Sequence, residues 1–213
     1  VDAKLHYIFD PLCGWCYAAS PLLTALKDRF GDELELVFHP GLLFAAPRTI
    51  DQSYREHIIS ADLRIAAVAG VELGAAYINR VRTAPVLRYH SELPAAAVLA
   101  THALNTSLGL RMLKLIQQSH YQSGEDVSDI ATLTTLAQTL RLEAKAFAQA
   151  LENIQHSLPT IAVEARNLMQ VVSGNGFPTL VLEQDGEFQL LDHSSAYGKP
   201  YLLANRVAQF VAA

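Results

Sequence analysis

Apolar residues in this chain change their spacing twice. From Leu5 to Phe9 they form a strand-like run whose apolar character suits a buried, central position. From Tyr17 to Phe30 they fall at helical spacing, with Leu22, Leu23, Leu26 and Phe30 on one stripe, and Gly31-Asp32 ends the helix. Leu34 to Phe38 returns to strand spacing, so the first 44 residues read as a parallel βαβ unit, which is normally right-handed. No strand pattern is evident between Gln52 and Val172. That stretch predicts helices over Gln52–Ala69, Ala95–Leu108, Leu110–Tyr121, Asp129–Leu140 with Ser128 as N-cap, Glu143–Gln155, and Thr160–Val172 opened by Pro159. Strand spacing resumes at Pro178. Leu180–Glu183 and Phe188–Leu191 flank Asp185-Gly186, a strong hairpin signal, and a last helix spans Pro200–Val211. The pattern divides the chain into a discontinuous α/β domain, residues 1–44 and 157–213, and an inserted helical domain, residues 45–156.

Composition narrows the class. The 213 residues are 51% hydrophobic and 17% charged, which suits a folded domain with a substantial core. The net charge of −5 and the lack of a basic run exclude nucleic acid as an expected partner. No apolar stretch approaches the roughly 18 residues of a membrane span. The first residue is Val1, not methionine, so an upstream residue or segment is expected to have been removed. Low cysteine content fits a reducing compartment, and the expectation is a cytoplasmic protein, or a periplasmic one if a signal peptide was removed before Val1.

The two cysteines carry the chemistry. Cys13 and Cys16 are separated only by Gly14 and Trp15, where the first strand hands over to the first helix. A cysteine there meets free backbone N–H groups and the positive end of a helix, both of which favour thiolate. The second sulfur lies about one turn further on, within reach of a disulfide. A zinc site would need about four ligands, and no second cysteine pair or H-x₃₋₅-H spacing supplies them. A static disulfide would close a tiny loop for little entropic gain, and two inert buried thiols are the remaining bland reading. A redox-active dithiol accounts best for the pair.

The strand–Cys-x-x-Cys–helix unit resembles thioredoxin-fold oxidoreductases. Pro21, five residues after Cys16, sits at the offset where those proteins carry a helix-kinking proline. Gly176-Phe177-Pro178-Thr179 resembles the segment that opens their next strand with a cis-proline. The helical interruption, the Tyr121–Asp129 segment and the string from Phe9 to Tyr17 are similar to the DsbA family and its bacterial dithiol–disulfide isomerase relatives. The resemblance implies a thioredoxin-like α/β fold with a large all-helical insertion and a thiol–disulfide oxidoreductase or isomerase. It implies Cys13 as the attacking sulfur, Cys16 as the resolving one, and Phe177, Pro178 and Thr179 as the substrate-binding segment. Phe177–Pro178 should be cis, and the insert should form the opposite wall of a groove narrowed by Phe177. Partners are then a cysteine-containing protein or peptide, with glutathione a further candidate, and no cofactor or metal is needed.

Gly14, Trp15 and Asp10 are the expected tuning residues. Trp15 stands where strongly oxidising DsbA proteins carry histidine; it offers an indole N–H and no charge, or packs between the core and the insert. Tyr7 occupies the place, six residues before the first cysteine, where thioredoxin and DsbA hold a buried acid. Asp10 could accept a proton there or cap the turn with Pro11, the latter being its commoner use. His39 and His193 follow strand-like runs and read more readily as structural histidines than as dithiol neighbours. Two other functions fit the pattern. One is a glutathione-dependent isomerase or transferase of the kappa and hydroxychromene-carboxylate isomerase group, which generally has serine where Cys13 stands. The other is a peptide-binding or chaperone module whose groove matters more than its redox state.

Overall fold

The computed structural model describes residues 3–211; Val1, on which the expectation of upstream removal rests, lies outside them. β1 (Ala3–Phe9) runs through the middle of a four-stranded mixed sheet. After it come α1 (Gly14–Ala18), α2 (Ser20–Phe30) and β2 (Leu34–Pro40), which pairs parallel to β1 with Tyr7 opposite Phe38. Leu5 to Phe9 are buried on both faces, as a central strand requires. The helix expected as one kinked element is two. Pro21 lacks an N–H, and the chain turns at Ala19, where the Leu22 N–H donates to the Ala19 carbonyl at 2.9 Å. Pro21 thereby sits in the first turn of α2, where a missing donor costs nothing.

The insertion begins with β3 (Arg48–Thr49), α3 (Gln52–Ala69), α4 (Ala75–Thr83) and β4 (Arg88–Tyr89). α5 (Glu92–Leu104), α6 (Gly109–Tyr121), α7 (Ile130–Thr139) and α8 (Ala144–Val171) follow. The sheet is completed by β5 (Thr179–Gln184), antiparallel to β1, and β6 (Glu187–Leu190), and α9 (Pro200–Val211) ends the described chain. Asp185 and Gly186 both take positive φ, as the two-residue hairpin between β5 and β6 demands.

Three expectations need correction. The stretch expected to lack strands contains β4, which pairs with β3 in a ladder two residues long, and α4 was not anticipated. A two-residue ladder leaves no alternation to read. Asp129, not Ser128, caps α7: its carboxylate accepts from the Thr132 N–H at 3.0 Å, while the Ser128 hydroxyl donates to the His90 carbonyl. The pair of helices expected on either side of Pro159 is the single helix α8, so the boundary drawn at residue 157 falls inside a continuous element. An interior proline costs about 3 kcal/mol. Phe147, Leu151 and Leu158 are fully buried on α8. Each stabilises it by about 1.5–3 kcal/mol, which outweighs the proline.

α8 closes one face of the sheet, where Ile8 and Val181 pack with Ala165. The opposite face, carrying Leu5, Tyr7, Phe9 and Leu180, belongs to the main core with α1, α2 and the insertion.

Candidate active site

The site starts from a turn. Asp10 follows β1 and is completely buried. One carboxylate oxygen accepts from the Leu12 N–H and the other from the Leu43 N–H, each at 2.7 Å. Asp10 thus folds the loop into α1 and ties it to the chain leaving β2. Burial raises its pKa, against the Ser91 hydroxyl and the Leu12 and Leu43 N–H groups. Its own N–H donates to Cys16 Sγ at 3.5 Å, and its carbonyl accepts from the Cys13 N–H at 3.2 Å.

Cys13 is the N-cap of α1, and both cysteines are free thiols. They are unequal. Cys16 has no exposed surface, whereas Cys13 retains 8%. A hydrogen bond from the Cys16 thiol is the largest influence lowering the Cys13 pKa, helped by the Cys16 and Trp15 N–H groups and opposed by burial and the Asp10 charge. Burial, then the hydrogen bond to Cys13 and the charge there, drive the Cys16 thiol well up. The shared proton therefore belongs to Cys16 and the thiolate to Cys13. Tyr7 offers no acid behind the pair. Its hydroxyl donates to the Cys16 carbonyl at 3.3 Å, and burial with the two sulfur charges raises its pKa far enough to keep it neutral.

The proline loop meets this sulfur. Phe177–Pro178 is cis, and the Phe177 carbonyl oxygen lies 3.5 Å from Cys13 Sγ. Thr179 enters β5 opposite Ile8, and its hydroxyl donates to the Gly176 carbonyl at 2.7 Å. The Phe177 ring lies over Gly41, where a Cβ would come within 2.1 Å of it, so only glycine leaves room. His193 Nε2 is 3.0 Å from the Pro178 carbonyl. Since a carbonyl can only accept, and burial lowers the His193 pKa, this is a neutral ring donating from Nε2.

Trp15 does not wedge between core and insertion as one expectation had it. It is 38% exposed and leans on Tyr197, with ring centres 5.0 Å apart, because the first turn of α1 points it toward the loop before α9. His39 lines neither hollow beside the dithiol. It lies 2.8 Å from His6, which reaches Glu183 at 2.8 Å, and burial and His6 lower its pKa to about 4. Among the described residues no cluster of three or more His, Cys, Asp or Glu side chains is arranged to hold a metal ion.

Two hollows lie beside the dithiol, and Cys13 itself lines the second. An open groove of about 630 Å³ runs past Trp15, Phe177, Pro178, His193 and Tyr197. Its far wall comes mostly from the thioredoxin half; Val68 alone represents the insertion. The insertion instead roofs a second hollow of about 300 Å³, lined by Cys13, Gly14, Asp62, Tyr77, Tyr89 and His120 among others. That correction follows from α3 packing directly on α1. Sequence reasoning missed Asp62. A signal existed: Arg55, Ile59, Asp62, Ala66 and Ala69 follow inward helical spacing on α3, and an acid there contradicts the apolar stripe.

An unequal dithiol at the first helix of a thioredoxin sheet, faced by a cis-proline loop, defines a thioredoxin-fold thiol–disulfide oxidoreductase. Residues 4–196 match the DSBA-like thioredoxin domain, and the chain belongs to that family. It is similar to the cytosolic disulfide reductase DsbM from Pseudomonas aeruginosa, at 35% identity and TM-score 0.89 over 98% of each chain. The structure of DsbM with GSH matches at 33% identity and TM-score 0.88, over 99% of this chain and 100% of that one. A 2-hydroxychromene-2-carboxylate isomerase, 14% identical with TM-score 0.61 over 98% of each chain, shares the fold. No curated protein matches the sequence.

Proposed function

We propose that this oxidoreductase works as a cytoplasmic disulfide reductase, with Cys13 as nucleophile and Cys16 as resolving thiol, and that a glutathione-type thiol restores it. The inequality of the two sulfurs carries the reading. The Cys13 thiolate attacks a substrate disulfide and forms a mixed disulfide, and one substrate sulfur departs. Cys16 then attacks Cys13, releasing the second substrate sulfur and leaving the Cys13–Cys16 disulfide. Two thiols re-reduce it through a second mixed disulfide and leave as their own disulfide. Similarity to DsbM supports both the direction and the small thiol. Phe177, Pro178 and Thr179 present backbone to an extended cysteine-containing segment, Asp10 holds the turn, and Trp15 and Gly14 set the surroundings of the sulfurs. The 2-hydroxychromene-2-carboxylate isomerase shares only the fold, and the free Cys13 and Cys16 thiols favour the oxidoreductase over an isomerase of that type.

The test is the reduction potential of the Cys13–Cys16 couple in a glutathione series. A reductase is expected nearer the roughly −270 mV of thioredoxin, and a value near about −120 mV would make the protein an oxidant. Limiting alkylation of the reduced protein at neutral pH should label Cys13 well before Cys16.

A further inference from the structure

Thiol–disulfide exchange produces a departing thiolate at every step, and below neutral pH a nearby acid that protonates it speeds its departure. In this site the obvious groups are committed. Both Asp10 oxygens are held by backbone N–H groups, and the Tyr7 hydroxyl is spent on the Cys16 carbonyl. His120 in the second hollow is buried to the point of staying neutral, its pKa lowered to about 3.

Asp62 is not committed. Its Oδ2 accepts from the Tyr77 hydroxyl at 2.5 Å, which fixes the carboxyl group. Its Oδ1 rests against Gly14, where a Cβ would come within 2.5 Å, and has no protein partner among the described residues. Gly14 thus makes room for this oxygen beside the dithiol, in the hollow that Cys13 also lines. The Phe177 carbonyl takes the other flank of Cys13. A substrate sulfur displaced in line by Cys13 meets this carboxyl group when it leaves into the hollow that Cys13 and Asp62 both line.

We propose that Asp62 is the acid that protonates the substrate sulfur displaced by Cys13. The step balances: Cys13–S⁻, R–S–S–R′ and Asp62–COOH become Cys13–S–S–R, R′–SH and Asp62–COO⁻. One sulfur–sulfur bond breaks and another forms, R′S is reduced, Cys13 is oxidised, and Asp62 regains its proton from water in the hollow. In reverse, the carboxylate takes the proton of an incoming thiol. Burial, against the Tyr77 hydrogen bond, raises the Asp62 pKa to about 6, where a proton donor is still populated close to neutrality. The charged and titratable groups around it are Tyr77 and Arg80 from α4, Tyr89 from β4, His120 and Tyr121 from α6, Cys13 and Tyr17 at α1, Arg48 before α3, and Tyr54, Arg55 and His57 on its own helix.

The test is single-turnover reduction of a cystine-containing peptide by pre-reduced protein from pH 5 to 8. Asp62→Asn keeps an acceptor for Tyr77 and removes the acid. Its rate should fall about tenfold below wild type near pH 5.5 and converge on it by pH 8. The expected loss is smaller than the roughly hundredfold minimum usual for general acids because a thiolate leaves readily unaided. The pH midpoint of Cys13 alkylation should not move. Gly14→Ala, whose methyl displaces Oδ1, should reproduce the same pH-dependent deficit. A wild-type to Asp62→Asn ratio that is constant with pH, or a shifted alkylation midpoint, would overturn the assignment. Failure of the wild-type protein to reduce the peptide would instead count against the reductase reading.

Discussion

The two hollows beside Cys13 are built to opposite specifications. The groove along the proline loop is open, lined by exposed Trp15 with Tyr197, Phe177 and a neutral His193, and backed by main-chain carbonyls. It offers mostly backbone and apolar surface, with Asp192 as its carboxylate, which suits an extended segment that must slide in and out. The hollow under the insertion is half that volume and holds a carboxyl group, four tyrosines and a buried histidine. Aromatic walls lower the dielectric there, and that same burial lifts the Asp62 pKa toward neutrality. The contrast supports the proposed division of labour, in which the thioredoxin half positions a substrate and the insertion supplies the acid beside Cys13.

The most severe way to break this comparison is to remove the sulfur that lines one hollow and meets the Phe177 carbonyl at the edge of the other. Cys13→Ser should abolish exchange with peptide and small-molecule disulfides alike, whereas Cys16→Ser should accumulate mixed disulfides on Cys13, seen as mass additions in intact-protein spectra. Retained turnover in Cys13→Ser would show that neither hollow serves this dithiol.

Next in size is the turn that sets where the hollows meet. Asp10→Ala would strand the Leu12 and Leu43 N–H groups, and an unsatisfied buried donor costs about 1–3 kcal/mol. Urea unfolding should show a loss of roughly 2–5 kcal/mol on that scale. A loss under about 1 kcal/mol would mean the turn holds without its acid.

The smallest effect sharpens the comparison on the open side. Trp15→His places a donor beside the Cys13 thiolate, which stabilises the reduced form and should raise the reduction potential by about 30 mV, or roughly 1.4 kcal/mol for this two-electron couple. Equilibration with glutathione reads it. No rise would leave the stacking on Tyr197 as the main contribution of Trp15.

Much of the thioredoxin half was legible because its signals are local. Cys13 and Cys16 are three residues apart, the Asp185-Gly186 turn announces its hairpin, and the apolar run of β1 needs no partner to be recognised. The insertion was less legible. α4 is nine residues with two fully buried side chains, Tyr77 and Val81, too few to stand out as a periodic stripe. Pro159 looked like a helix start because local propensity says so, and only the packing of Phe147, Leu151 and Leu158 makes the helix run through it.

The same line divides the site. The sequence by itself determined the dithiol and its place at a strand-to-helix junction, short motifs whose chemistry follows from neighbouring residues, and resemblance to the thioredoxin fold singled out the proline segment that faces it. Only the tertiary structure decided which sulfur holds the proton, because the inequality of Cys13 and Cys16 arises from burial and from contacts made on folding. It alone brought Asp62 to Gly14 across 48 positions of chain (62 − 14), an encounter that depends on α3 packing on α1 and that no local pattern encodes.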